Sequence, residues 1–419
     1  MEPLLFLCHR LPYPPNKGDK VRSYRFLRHL CEGRKVFLGT FVDDPADWPH
    51  VEEMRRICAD VHVARLDPAF ARLRSLGGLL SGEALSLPYY RDAGLTHWVR
   101  GVAAAHDIRS VFVYSSPMAQ YVPSALNDRT VVDFVDMDSA KWTAYADSHA
   151  WPFSWIYRRE GRTLLAAERK FAARAATSVF VTRAEADLFA NHAPDLRDRI
   201  AFVENGVDTD FFSPEIRSES PFGAAERPIV FTGAMDYWPN VDAVRWFADR
   251  CLPSIQAEFP DVRFYIVGMN PAKPVQELAS RPGITVTGRV ADIRPWLRHA
   301  RLAVAPLRVA RGIQNKVLEA MAMALPVITT PDCAHALTVQ LDREIAVADE
   351  PAQWTERIRL LLDPARAREM GQAARERVLA DYGWAQKLRK LDSLMRRSGN
   401  DSSMQTGQTP HTQAEALSA

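Results

Sequence analysis

Residues 306–330 read PLRVARGIQNKVLEAMAMALPVITT. A strand is predicted to lead into this stretch, and a glycine turn follows it at Gly312. A helix then carries Lys316 and Glu319, and it ends before Pro326, where a second strand begins. A cation and a carboxylate three residues apart lie on one helix face, here in the first turns, where free N–H groups attract anions. This pattern suits a nucleoside diphosphate, with amides and the lysine on the phosphates and the carboxylate on the ribose.

The bulk properties indicate a globular protein with two domains. At 419 residues, with 47% hydrophobic and 25% charged residues, the chain can bury more than one core. Its 53 basic and 51 acidic residues leave a net charge of +2, which gives no reason to expect nucleic acid as a partner. The five cysteines form no CxxC pair, so we expect reduced, mostly buried thiols rather than disulfides or a zinc site.

The chain also lacks the signs of export or membrane insertion. Its N-terminus has neither the basic start nor the long apolar run of a signal peptide. No stretch reaches the roughly 18 uninterrupted apolar residues of a membrane-spanning helix. We therefore expect a cytoplasmic protein.

Short apolar runs alternate with amphipathic segments, giving seven strand candidates in the first half and six in the second. Continuous apolar runs are typical of parallel strands, and strand–helix alternation predicts two doubly wound α/β domains. The predicted division is an N-terminal domain over 1–205, a linker over 206–227, a C-terminal domain over 228–382, a last helix over 383–396 and a disordered tail over 398–419.

Residues 312–330 resemble the nucleotide-sugar site of glycosyltransferase family 4, whose members have the GT-B fold. The resemblance implies two Rossmann-like domains facing across a cleft, the first binding the acceptor and the second the nucleotide sugar. It also implies that the helix over 383–396 packs back on the N-terminal domain. Glu319 falls on the family's ribose-binding glutamate, and Lys316 falls where one branch of the family places a lysine on the diphosphate.

One position departs from the family pattern. Arg311 stands where many members have a glutamate that contacts the donor sugar and is often linked to catalysis. An arginine can only donate hydrogen bonds and carry positive charge. Either Arg311 serves the phosphates or the sugar is held differently, and a solvated loop arginine is the remaining alternative.

Further residues of the second half complete the expected donor site. Gly233 ends a strand and would allow close approach of a phosphate. The backbone near Arg289 and Val290 would contact the edge of the base, and Gly312 and Ile313 would line the donor beside the helix. The family's Arg and Lys after the first glycine are replaced by Ala234 and Asn240, so Lys316 and Arg311 would carry that charge.

Two loops of the first half add further candidates, of which Gly18 would allow the backbone to approach the donor across the cleft. The loop that contains Gly18 follows a strand and opens a helix, a position where ligands bind in α/β sheets. This loop resembles that of sugar transferases associated with the exosortase/PEP-CTERM exopolysaccharide system. Asp136 and Asp138 follow another strand, and they would contact the transferred sugar or the acceptor, or else cap a helix. We considered a metal site there and do not expect one, because family 4 needs no Asp-x-Asp metal motif.

The segment Trp151–Ala176 combines aromatic residues with six basic and two acidic ones. Such a helix either covers the sheet with its apolar face or lies on an anionic membrane surface, and both can hold together. A polyprenyl-linked acceptor would explain a basic face. Contact of Trp151–Arg174 with the inner face of the cytoplasmic membrane is therefore a further expectation.

Together these features predict a retaining glycosyltransferase that transfers a sugar from a nucleoside-diphosphate sugar to a glycan or lipid-linked glycan in exopolysaccharide synthesis. No cofactor and no structural metal are expected. Two alternatives remain open at this level. One is a nucleotide-sugar epimerase of similar fold, which needs no acceptor, and the other is a non-catalytic nucleotide- or glycan-binding assembly protein.

Overall fold

The computed structural model describes residues 1–15, 18–147, 150–309 and 313–400. Arg311, Gly312 and all but the first residues of the expected tail over 398–419 lie outside these ranges. The chain divides into two units, of which the first combines Met1–Glu204 with the helical residues from Leu388 on, and the second is Asn205–Lys387. Among the described residues, no helix is both long and apolar enough to cross a bilayer.

The first unit is built on a seven-stranded sheet in which every strand is parallel to its neighbours. The strands follow one another in the order β3-β2-β1-β4-β5-β6-β7. They are β1 (Glu2–Cys8), β2 (Arg34–Val42), β3 (Asp60–Arg65), β4 (Ser110–Tyr114), β5 (Thr130–Val135), β6 (Thr177–Phe180) and β7 (Ile200–Phe202). Leu4 to Cys8 and all of β4 are buried, because helices cover both faces of a parallel sheet.

The helices of the first unit alternate with its strands. They are α1 (Gly18–Gly33), α2 (Val51–Ile57), α3 (Pro68–Ser75), α4 (Gly77–Ser81), α5 (Ser86–Tyr89), α6 (Ala93–Ala105), α7 (Asp138–Asp147), α8 (Phe153–Arg174) and α9 (Arg183–His192). Asp67, Asp92 and Thr182 begin three of them by accepting hydrogen bonds from N–H groups of the first turn. Short 3-10 turns occupy Pro45–His50, Ser116–Tyr121, Ser124–Arg129 and Pro194–Arg199.

The second unit repeats this plan with six parallel strands in the order β10-β9-β8-β11-β12-β13. Its strands are β8 (Arg227–Thr232), β9 (Val262–Val267), β10 (Ile284–Gly288), β11 (Leu302–Ala305), β12 (Val327–Thr329) and β13 (Ala346–Val347). Its helices are α10 (Trp238–Arg250), α11 (Leu252–Glu258), α12 (Lys273–Gln276), α13 (Arg294–His299), α14 (Asn315–Ala322), α15 (Pro331–His335), α16 (Pro351–Leu361) and α17 (Pro364–Asp381), followed by α18 (Trp384–Asn400), which continues into the first unit. A 3-10 turn lies at Glu277–Ser280.

All thirteen strand candidates are therefore strands, and two doubly wound sheets are confirmed. The segment expected as a linker over 206–227 is packed onto the second unit instead. The Val207 N–H donates to the Tyr382 carbonyl at 2.8 Å, and the Phe222 ring lies edge-on to Tyr265 with centroids 4.7 Å apart. Aromatic residues of the segment provide this packing, whereas its Pro, Gly and Ser content had indicated a linker.

In both sheets the strand order changes direction at one point, between β1 and β4 in the first and between β8 and β11 in the second. The two connections that leave such a switch point diverge to opposite faces of the sheet. A crevice therefore opens at the carboxyl ends of those strands, where ligands bind in folds of this type. Gly233 follows β8 and Lys316 follows β11, so both lie at the switch point of the second sheet.

A buried ion pair holds the first unit together. Arg22 of α1 donates to the Asp133 carboxylate of β5 at 2.8 Å, with both side chains at most 1% exposed. The same guanidinium donates to the carbonyl of Val203, beyond β7, at 2.6 Å. Because one cation satisfies acceptors from separate parts of the chain, this pair fixes α1 against the sheet.

We expect Asp133→Ala to lower the free energy of unfolding of the first unit by about 3–5 kcal/mol, because it leaves the Arg22 cation buried without its carboxylate. Urea unfolding followed by circular dichroism measures the loss. Asp107→Ala, which removes an exposed partner of Arg109, is the matched control and should cost less than about 1 kcal/mol. Equal losses in the two variants would contradict a structural role for the buried pair.

Candidate nucleotide site at the carboxyl ends of β8 and β11

Helix α14 presents Lys316 and Glu319 as the sequence predicts. Its buried face consists of Val317, Leu318, Ala320 and Met321, which are at most 1% exposed and anchor the helix in the core of the second unit. Lys316 and Glu319 are partly buried on the remaining face. The apolar face thus holds the helix rigidly, and the charged pair lies where α14 begins.

The Lys316 ammonium is held by neutral groups. Its Nζ donates a hydrogen bond to Oδ1 of Asn240 and lies 4.4 Å from the centre of the Phe231 ring. Within the part of the chain that the structure describes, no carboxylate lies within 4.0 Å of this nitrogen. Burial lowers the pKa of Lys316 to about 8, and nearby Cys333 and Glu319 oppose that shift. A partly desolvated cation without a counter-charge favours an incoming anion.

Asn240 owes its orientation to a second hydrogen bond. Its Nδ2 donates to the Ala234 carbonyl at 2.8 Å, which turns Oδ1 towards Lys316. In the sequence, Asn240 stands out only because it replaces a lysine of the family pattern. The structure shows that it positions the lysine that remains. Asn240 is buried near the start of α10, and no local sequence signal identifies it, because Lys316 lies 76 positions away.

Two glycines make room for this arrangement. A Cβ at Gly233 would lie 2.8 Å from Nδ2 of Asn240 and 3.3 Å from the Lys316 Nζ. A Cβ at Gly268, which follows β9, would lie 1.6 Å from the Gly233 carbonyl oxygen. Close contacts within the chain itself therefore require glycine at position 233. They require it at position 268 as well, a residue that was not among those expected at the site.

The Glu319 carboxylate has unused acceptor capacity. No N–H or O–H group of the described residues donates a hydrogen bond to it. Burial raises its pKa to about 7, and Lys316 opposes this shift. A partly buried carboxyl group without donors is suited to accept hydrogen bonds from ligand hydroxyls.

The other expected donor-site residues are spread along the same edge of the sheet. Arg289, in the loop after β10, is exposed and contacts the Met269 sulfur at 3.7 Å. Val290 and Ile313 are partly buried and pack against the buried cluster that includes Val317 of α14. Arg311 and Gly312 lie outside the described residues.

Asp136 and Asp138 both pair with Lys141, a residue that the sequence analysis did not single out. The Lys141 Nζ lies 2.7 Å from Asp136 and 3.0 Å from Asp138. The two carboxylates raise the pKa of Lys141 above its usual value against the effect of burial. They thus form a local ion-pair cluster at the start of α7, and no group of metal-ligating side chains occurs among the described residues.

Gly18 begins α1 in the loop region after β1. A Cβ there would meet nothing within 4 Å, so contacts within the chain do not require this glycine. Its neighbour Asp19 accepts from Arg10 at 2.8 Å and lies 3.8 Å from His9. His9 stacks on Tyr114 with ring centres 5.8 Å apart, and burial lowers the pKa of the imidazole. These groups lie at the carboxyl ends of β1 and β4, the switch point of the first sheet.

The second unit and much of the remaining chain are similar to known proteins. Residues 226–364, which contain α14 and both glycines, match the family described as glycosyl transferases group 1. Alpha-maltose-1-phosphate synthase of Mycolicibacterium smegmatis is 32% identical over 214 residues, which are 45% of this chain and 54% of that protein. The match therefore spans about half the length of this relative. A GDP-mannose-dependent alpha-(1-6)-phosphatidylinositol monomannoside mannosyltransferase of the same organism is 28% identical over 316 residues, which are 69% of this chain and 77% of that protein.

Solved structures show that the fold is GT-B. Sucrose-phosphate synthase from Thermosynechococcus elongatus superposes with a TM-score of 0.65 at 17% identity, covering 95% of this chain and 99% of that one. Anabaena HepE in complex with UDP superposes with a TM-score of 0.64 at 15% identity, covering 94% of this chain and all of that one. The expected pair of Rossmann-like domains is thereby confirmed.

Glu319 should lower the stability of the protein at neutral pH. Burial raises the pKa of Glu319 from 4.5 to about 7. Between these pH values the folded chain keeps a proton that the unfolded chain releases, so the free energy of unfolding falls as the pH rises from 4.5 to 7. Glu319→Gln should match wild type near pH 4.5 and exceed it by on the order of 1–3 kcal/mol at pH 7.5. Urea unfolding at both pH values measures this difference.

The control for this measurement is Glu369→Gln, an exposed glutamate of α17. Its unfolding free energy should follow that of wild type at both pH values. A Glu319→Gln difference that stays constant between pH 4.5 and pH 7.5 would contradict the raised pKa.

Proposed function

We propose that this chain is a glycosyltransferase that moves a sugar from a nucleoside-diphosphate sugar to a hydroxyl group of a glycan or lipid-linked glycan. The observation that carries the proposal is the Lys316 ammonium, which has no carboxylate within 4.0 Å among the described residues. It lies one helical turn from Glu319, to which none of those residues donates a hydrogen bond. Both lie at a switch point of the second sheet, inside the stretch that matches group 1 glycosyltransferases. The mannosyltransferase relative depends, by its name, on GDP-mannose, and the HepE neighbour holds UDP.

The two side chains have distinct roles in this proposal. Negative charge grows on the leaving diphosphate as the bond between sugar and phosphate breaks. The Lys316 cation and the N–H groups at the start of α14 stabilise that charge. An arriving diphosphate also favours protonated Lys316, whose pKa burial lowers to about 8. Glu319 accepts hydrogen bonds from the ribose hydroxyls and thereby orients the nucleotide.

The finer features of the proposal follow from the sequence resemblance. Retention of the anomeric configuration is proposed from the likeness to family 4, and a role in exopolysaccharide synthesis from the loop around Gly18. Asp136 and Asp138, which both pair with Lys141, would contact the transferred sugar or the acceptor. Arg311 would add positive charge beside the phosphates. The sugar donor is taken to need no structural metal.

Lys316→Ala should weaken binding of a nucleoside diphosphate by about 1.5–3 kcal/mol, the range for a hydrogen bond to a charged group. Thermal stabilisation by UDP, GDP and ADP first selects the nucleotide, since a ligand at 100 times its dissociation constant adds about 2.7 kcal/mol. Calorimetric titration of that nucleotide then compares the two proteins. Lys273→Ala, an exposed lysine of α12, is the control and should bind as wild type does. Unchanged affinity in Lys316→Ala would exclude the phosphate role.

Incubation with radiolabelled nucleotide sugars and a bacterial lipid extract tests the reaction itself. We expect label to move into the lipid or glycan fraction with release of the nucleoside diphosphate, and Lys316→Ala to slow this transfer at least tenfold, since one charged hydrogen bond is worth about 1.5–3 kcal/mol. Conversion of the sugar without any acceptor would instead identify an epimerase. Nucleotide binding without turnover for any sugar and acceptor would identify a non-catalytic binding protein.

A further inference from the structure

The solvent-facing side of α8 is a stripe of positive charge. Trp155, Arg158, Arg162 and Arg169 recur at spacings of three, four and seven residues and are exposed, so they lie along one face of the helix. Lys170 and Arg174 extend the stripe towards the end of the helix, where both are exposed. This gives five exposed cations along a single helix of 22 residues.

The two glutamates of α8 point away from this stripe. Glu160 is 2% exposed and accepts hydrogen bonds from the N–H groups of Leu85 and Ser86 at 2.6 and 3.1 Å, at the start of α5. Glu168 is 1% exposed and accepts from the Ser139 N–H and hydroxyl at 3.3 and 2.5 Å, at the start of α7. Each carboxylate is thus used to cap a neighbouring helix. The exposed side of α8 therefore has no carboxylate of its own, although Asp195 lies 3.8 Å from Arg169.

Exposed aromatic residues adjoin the start of this stripe. Trp151, Phe153 and Trp155 are 81%, 56% and 52% exposed, and Tyr145 of α7 is 51% exposed. Phe153 and Tyr145 both contact the Tyr157 ring, with centroid distances of 6.3 and 6.4 Å, so they form one group.

A second apolar group lies on a neighbouring element. Phe70, Leu73 and Leu76 at and beyond α3 are 62%, 66% and 50% exposed. Gly78, two residues after Leu76, accepts a hydrogen bond at 2.6 Å from Arg159 of α8, so the chain just beyond α3 contacts α8. Seven of the sixteen large exposed hydrophobic residues in the described part of the chain belong to these two groups, so the apolar exposure is concentrated here.

We propose that this basic–aromatic surface, formed by α8, the aromatic residues at its start and the end of α3, binds the surface of an anionic lipid bilayer. Trp and Phe side chains insert at the level of the headgroups, and the exposed cations of α8 bind lipid phosphates. Nucleic acid would use the cations but leave Leu73, Leu76 and Trp151 in water. The surface lies within the first unit, so this inference does not rest on the nucleotide site or on the proposed reaction.

Sedimentation with vesicles tests the surface in the full chain without nucleotide. Wild type should sediment with vesicles of phosphatidylglycerol and phosphatidylcholine at physiological salt and remain in solution with phosphatidylcholine alone. The triple variant Arg162→Gln/Lys170→Gln/Arg174→Gln should bind roughly a hundredfold more weakly, because each cation near an anionic surface contributes about fivefold. Arg250→Gln/Arg366→Gln/Arg368→Gln removes the same charge from exposed positions of the second unit and should bind as wild type does.

The aromatic contribution has its own variant. Trp151→Ser/Phe153→Ser should weaken vesicle binding at least tenfold, whereas Leu341→Ser/Leu379→Ser, at similarly exposed positions of the second unit, should not. Circular dichroism and nucleotide titration check that all variants fold and keep the other site. Wild type that stays in solution with anionic vesicles overturns the proposal, as does equal vesicle binding by the Arg162 triple variant. Dimers that dissociate on Trp151→Ser/Phe153→Ser, without vesicle binding by wild type, would also overturn it and assign the surface to contact between copies.

Discussion

The candidate nucleotide site of the second unit depends on the position and charge of the Lys316 ammonium. A lysine that loses part of its hydration normally gains a carboxylate, but this one has the amide oxygen of Asn240 and the face of the Phe231 ring. These neutral partners hold the cation in place without neutralising it. Burial lowers the pKa of this group to about 8, because the charged form has lost part of its hydration. A dianionic ligand reverses that balance, since it restores the interaction energy that burial removed.

Several local features serve this one interaction. Gly233 leaves room for the Asn240 amide and the lysine, and Gly268 leaves room for Gly233. The Ala234 carbonyl fixes the amide, and the apolar face of α14 fixes the lysine's backbone. The switch point of the parallel sheet supplies the place, because only there do the ends of β8 and β11 open onto a crevice. A substitution at Gly233 would therefore crowd the amide and the cation directly, whereas one at Gly268 would act on them by displacing Gly233.

The sequence predicted the strands and α14 because their signals are local. A buried parallel strand is a continuous apolar run, and a helix anchored on one face shows its period. The partners of the charged residues were not predictable in this way. Asn240 lies 76 positions from Lys316, and Glu160 lies 74 from Ser86, so only the folded chain brings these pairs together. Asp136 and Asp138 show the same limit at short range, because the interaction of both with Lys141 depends on the turn that begins α7.

The contrast of Glu160 and Glu168 with Glu319 shows how the fold determines the role of a buried carboxylate. Glu160 and Glu168 lie on α8 among basic residues, and each accepts hydrogen bonds at the start of another helix. Their removal from the surface turns a sequence with opposed charges into a cationic face. Glu319 is partly buried as well, but no group of the described residues donates a hydrogen bond to it. A buried carboxylate that accepts hydrogen bonds from the chain has a structural role, whereas one without such donors can accept them from a ligand. The hydrogen-bond partners of a buried acid therefore identify its role better than its exposure does.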